Sequence, residues 1–172
     1  MAQPVPTRTQ AIRILERDRR LTLGLLQRLP ARAITTRGLG GVDWSPKDLI
    51  GHLESWEQHG LDALEAWARG EPAPSDVALR SIGLNGLNRA EVERKARWSA
   101  AKSLTSAGET HQRIVAAIRS LPDDRWLAPP TRRARRSLGR TIGGILGGPS
   151  GPFRHDAAHH PDLREFVAHH TR

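Results

Sequence analysis

Between residues 44 and 69 the apolar positions fall at three- and four-residue steps: Leu49, Leu53, Trp56, Ala63 and Trp67. That period gathers them on one stripe of an α-helix over residues 46–69. His52 lies inside the stripe, between Leu49 and Trp56, so the pattern aims an imidazole at the core. The helix start is marked as well. Ser45 can cap it with its hydroxyl, Pro46 suits a first helical position where its missing N–H costs nothing, and Asp48 can reach back to the cap N–H. Gly70 ends it.

The same period predicts three further long helices. Residues 7–29 carry Ala11, Ile14, Leu15, Asp18, Thr22, Leu25 and Leu29 on one side, with Thr7 and Gln10 as a capping box and Pro30 as the stop. Asp18 interrupts this stripe and is expected at the rim, paired with an arginine. Ser99 caps residues 100–121, where Leu104, Ala107, His111, Ile114, Ile118 and Leu121 share a face. The last helix begins near Pro152 and carries His155, His159, Leu163, Phe166 and Val167. Pro161 removes a donor from it at a cost of roughly 3 kcal/mol, so a bend is expected just past His159.

The connections read as irregular. Residues 31–42 hold Gly38, Gly40 and Gly41 and lack periodicity. Glu71-Pro72-Ala73-Pro74-Ser75 cannot continue a helix, and the chain is expected to stay irregular through Gly86. Asn88 and Glu91 then open a short segment ending at Trp98. Pro122-Asp123-Asp124 is a turn ahead of Trp126, an anchor, and the glycine-dominated residues 141–151 are a flexible lead into the last helix. No strand alternation and no repeat appear. The prediction is an all-α four-helix bundle, residues 1–172 forming one domain, with the site between the second and last helices.

Composition narrows the chemistry. With no cysteine, thiolate ligands, disulfides and cysteine nucleophiles within the chain are excluded. No apolar run approaches the roughly 20 residues that span a bilayer, and Met1-Ala2-Gln3-Pro4-Val5-Pro6 has no export signal, so a cytoplasmic protein without membrane partners is expected. The net charge of +9 favours polyanions, yet Lys47, Lys95 and Lys102 are the only lysines, so a compositional preference for arginine accounts for much of it. Arg132, Arg133, Arg135 and Arg136, with Arg140, can contact phosphates without reading sequence, or simply solvate a loop. No aromatic interleaves them to stack on bases.

The histidines carry the sharper signal. His155 and His159 stand one helical turn apart on one face and can share a metal ion with His52 if their helices pack. Three neutral nitrogen donors leave coordination positions for a substrate, the arrangement of a catalytic centre. A buried, merely hydrogen-bonded histidine is the competing reading for each. His155 lacks the following glutamate of the HExxH peptidase motif. His59, seven residues beyond His52, and His111 are candidate acid/base groups, while His160, His169 and His170 are expected to be exposed.

Three passages together resemble the DinB-like superfamily, which includes ClbS/DfsB-type proteins. They are Trp44-Ser45-Pro46-Lys47-Asp48-Leu49-Ile50-Gly51-His52-Leu53 with Trp56-Glu57, the segment from Leu87-Asn88 to Leu121-Pro122, and His155 to His159. The resemblance implies an up-down four-helix bundle with His52, His155 and His159 as ligands of a divalent metal, nickel or zinc above all, and a homodimer. It also implies an activity between hydrolysis and thiol transfer on a reactive small molecule, with water or an exogenous thiol as nucleophile. The ClbS/DfsB-type branch implies the alternative: a non-catalytic protection protein that binds DNA or a DNA-damaging metabolite, here through Arg132, Arg133, Arg135 and Arg136.

Overall fold

A computed structural model of the chain describes residues 5–41 and 43–171. Residues 1–4, read above as free of an export signal, and Val42, placed above in a loop, lie outside the described residues. Among the described residues seven α-helices and one 3₁₀ turn follow in order: α1 (Arg8–Leu26), the 3₁₀ turn (Ala31–Thr35), α2 (Pro46–Ala68), α3 (Pro74–Arg94), α4 (Ala100–Ser120), α5 (Asp123–Leu127), α6 (Leu138–Ile145) and α7 (His155–His170). Among the described residues there is no strand, only the isolated bridges Leu39–Trp44 and Gly148–Gly151. No helix among them is long and apolar enough to cross a membrane.

The all-α expectation holds, and its capping chemistry is in place. Thr7 with Gln10 and Ser45 with Asp48 each form a reciprocal capping box, and the Ser99 side chain accepts from Lys102 N–H. The helices predicted from apolar stripes are α1, α2, α4 and α7, and these pack on one another, α2 against α4 and α7, α1 against α4 and α7.

Two predicted irregular segments are helical instead. α3 begins at Pro74 rather than staying irregular through Gly86, because a proline at the first helical position gives up an N–H that has no partner there. It lies against α2 and buries only Ser75 and Leu87, so there was no apolar stripe to read. Gly83, at φ 68°, breaks its course. The second is α6, which takes up residues 141–145 of the flexible lead expected over residues 141–151, the remainder being irregular. Its glycines serve close packing: a Cβ at Gly143 would sit 2.7 Å from Phe153 Cε2, and one at Gly139 would run into the Trp126 indole. Trp126 is a buried anchor, stacked on Phe153. α7 continues past Pro161, which is solvent-exposed.

The core divides into two apolar clusters. One gathers Leu15, Leu61, Ile114 and Phe153; the other Leu25, Leu53, Ala107 and Leu163. Along α1, α2 and α4 alike, the residues between the two clusters are polar and buried: Asp18, Arg19 and Thr22; Glu54, Ser55 and Glu57; Thr110. A charged layer therefore crosses the bundle. Asp18 belongs to it rather than to the rim, although its expected arginine partners are present, Arg17 at 2.7 Å and Arg154 at 3.3 Å.

Candidate metal centre

The Ser45–Asp48 box caps the start of α2. Asp48 Oδ2 accepts from Ser45 N at 2.9 Å and from Ser45 Oγ at 2.8 Å. His52 follows, buried at 3% exposure under the Trp44 ring, centroid to centroid 4.8 Å. α7 supplies the other two imidazoles from its first turns, His155 and His159 at an i,i+4 spacing.

Their nitrogens converge. His52 Nε2 lies 3.0 Å from His155 Nε2, His159 Nε2 lies 3.3 Å from His155 Nε2, and one ligand atom from each residue falls within 4.8 Å of the others. A neutral imidazole offers one donor and one acceptor, so hydrogen bonding among the three leaves lone pairs facing each other. A single cation would give every one of those lone pairs a partner. An ion at about 2.0–2.1 Å from each nitrogen in tetrahedral geometry would space them roughly 3.3–3.4 Å apart, close to the spacings that His155 makes with His52 and with His159. The donor set fits a divalent ion.

Electrostatics hold the donors in their ligating form. Burial, reinforced by repulsion from the neighbouring imidazoles, pushes His52 well below its ordinary value. Burial pushes His155 down to about 3, and His159 is lowered for the same reason. All three are neutral at pH 7. His52 Nδ1 is buried without a hydrogen-bond partner.

His59 and His111 lie outside this cluster. The His59 ring stands T-shaped to Trp56 at 5.4 Å, and Trp56 stands T-shaped to His155 at 6.0 Å, so one indole separates the two histidines. His59 Nε2 is buried and unpaired, 3.9 Å from Glu91 Oε1. His111 Nδ1 hydrogen-bonds Glu57 Oε1 at 2.7 Å, in the charged layer. His160 is buried, not exposed, because the α7 face it occupies meets Thr22 of α1, Oγ1 to Nε2 3.0 Å. His169 is exposed and His170 half-buried on Phe166.

Sequence reasoning passed over Arg19, Asp156, Glu57 and Lys95. Arg19 follows Leu15 by four residues and precedes Thr22 by three, so spacing put it on the inner face and only its charge argued otherwise. Lys95 donates to Gly51 O and Ser55 Oγ and pairs with Glu54, tying the end of α3 to α2. Arg132, Arg133, Arg135 and Arg136 are exposed in the connection between α5 and α6.

A groove of about 740 Å³ lies between the α2 start and α3, lined by Trp44, Lys47, Asn88, Arg89 and Val92 among others. That volume suits a small organic ligand. Trp44 forms a wall shared with His52, and Asn88 Oδ1 accepts from Trp56 Nε1 at 3.0 Å.

A sequence model described as the DinB superfamily matches residues 14–147, a span that includes His52 and stops short of α7. No curated protein matches the sequence. Among solved structures, an uncharacterised protein from Escherichia coli UTI89 is similar with a TM-score of 0.73 and 16% identity, over 96% of this chain and 95% of that one. The colibactin self-resistance protein ClbS, solved in complex with a dsDNA, is similar with a TM-score of 0.67 and 15% identity, over 98% of this chain and 95% of that one.

Proposed function

Because this chain belongs to the DinB superfamily, we propose that it is a divalent-metal-dependent enzyme that hydrolyses, or transfers a thiol to, a reactive small molecule. His52, His155 and His159 hold the ion, and the convergence of their Nε2 atoms is the observation that carries the reading. All-nitrogen donor sets suit nickel or zinc. Such an ion supplies Lewis acidity, polarising an electrophile or easing deprotonation of water or thiol.

The chain's own residues supply the rest. Trp44 covers His52 and shields the imidazole edge from water. The groove beside it admits the small molecule, with Asn88 fixed by Trp56. His59 is the better placed proton carrier. Burial lowers its pKa, leaving a neutral base with an unpaired Nε2, whereas His111 is engaged by Glu57. With this reading go one domain over the whole chain, a cytoplasmic location, a detoxifying role and, as the family resemblance implies, a homodimer.

The test measures hydrolysis of 4-nitrophenyl acetate, and conjugation of 1-chloro-2,4-dinitrobenzene to an added thiol, before and after chelation. Activity that chelation removes, nickel or zinc restores and His52→Ala lacks supports the reading. Rates equal to the uncatalysed controls in both assays contradict it.

A second reading has its own observation. Four exposed arginines stand together on a chain whose fold resembles that of ClbS, which was solved with dsDNA. A DNA-holding protection protein would bind duplex with an affinity that falls steeply with salt. Replacing Arg132, Arg133, Arg135 and Arg136 by glutamine should then flatten the salt slope by up to about 3.6, at about 0.9 for each phosphate that is no longer neutralised. An unchanged slope rejects it.

A further inference from the structure

The charged layer beside the three histidines is built around one side chain. Arg19 sits on α1 with its side chain 5% exposed. Its Nε donates to Asp156 Oδ2 at 2.9 Å and its Nη2 to Asp156 Oδ1 at 3.2 Å, a two-point fork on a carboxylate. The same Nη2 lies 3.3 Å from Glu57 Oε1, and Nη1 donates to Ala107 O at 3.4 Å. One guanidinium thus ties α1 to α7, α2 and α4. Thr22, one turn along α1, donates from Oγ1 to Asp156 Oδ2 at 2.8 Å and meets His160 Nε2 at 3.0 Å.

Stability does not account for this arrangement. Buried ion pairs are commonly matched or bettered by apolar side chains of similar volume. Location offers a reason. Asp156 directly follows His155 and precedes His159 by three residues, in the first turn of α7. That helix has no side-chain N-cap; His155 N–H donates to Leu146 O at 3.2 Å, and Asp156 is the side chain of its first turn that α1 grips. Asp18 is covered by Arg17 and Arg154, while Arg19 and Lys95 stand against Glu54, Glu57 and Asp156, and Glu57 Oε2 is buried without a partner.

We infer that Arg19, supported by Thr22, is a positioning residue for the three-histidine site: by gripping Asp156 it sets the first turn of α7 so that His155 and His159 meet His52. The inference rests on the reading of those histidines as metal ligands. Partners behind a ligand shell of this kind are typically worth about ten- to hundredfold in metal affinity.

The experiment titrates metal-free protein with cobalt(II), taking Kd and the visible d–d spectrum, which reports coordination geometry. Wild type is compared with Arg19→Lys, which keeps the charge and loses the fork, and with Thr22→Val. Arg19→Lys is expected to raise Kd about ten- to hundredfold and alter the spectrum with helicity by circular dichroism unchanged. Thr22→Val moves both in the same direction by less. Loss of global stability alone leaves Kd unmoved while the protein stays folded. Should Arg19→Lys fail to fold, the double variant Arg19→Met/Asp156→Leu, which removes both charges together, decides by the same readouts. Wild-type Kd and spectrum in the folded variants overturn the positioning role and leave the metal site standing. No cobalt binding by wild type overturns both.

Discussion

His52 and His155, on α2 and α7 and 103 positions apart, face each other nitrogen to nitrogen across 3.0 Å, the first buried and the second half-buried. Burial keeps both neutral far below the ordinary histidine range, reinforced at His52 by repulsion from His155 and at His155 by repulsion from His159.

That relationship fixes the sign of an acid response. The unfolded chain protonates these imidazoles near pH 6.5, whereas the folded site resists until much lower pH, about 3 for His155. Between those limits the unfolded state binds more protons, so stability falls as pH drops. Each buried histidine contributes about 1.4 kcal/mol per pH unit, hence about 2 kcal/mol between pH 6.5 and 5 for His155 alone. Urea unfolding of chelated protein at pH 7 and pH 5 measures the difference. His155→Gln should shrink it, and equal stability at both pH values would contradict the burial.

The capping box at the head of α2 has a separable role. Ser45→Ala is expected to cost about 1 kcal/mol, a fall in Tm of about 2–4 °C for a chain of this size. Metal affinity should be unchanged, since the remaining packing still buries His52. A thermal melt and a metal titration on the same preparation check both halves.

Gly143 gives a test by sign. In a flexible lead, Gly143→Ala would stabilise by about 0.4–1 kcal/mol through the unfolded chain. In α6 the new methyl meets the Phe153 ring, and a loss of about 1–3 kcal/mol is expected. Chemical denaturation distinguishes the two directions.

Much of this architecture was legible because it rests on apolar period and caps. Leu49, Leu53 and Trp67 announced α2, and Ser45 announced its start; likewise His155 and His159 declared a shared face. α3 stayed hidden because it lies outside the core and buries almost nothing. α6 stayed hidden because glycines read as flexibility when they permit Trp126 and Phe153 to approach. Arg19 and Asp156 were illegible for another reason. Each is a charge that looks solvated alone, and only α1 meeting α7 makes them a pair. His160 was misjudged likewise, since its partner Thr22 lies 138 positions away.

The central claim is that His52, His155 and His159 form a metal site. Elemental analysis of protein purified without an affinity tag, beside His52→Ala and His159→Ala, tests it most directly. Stoichiometric divalent metal is expected in wild type and its loss in both variants, with helicity retained. Wild type that carries no metal, even after incubation with nickel or zinc, would contradict it and leave the three as core histidines.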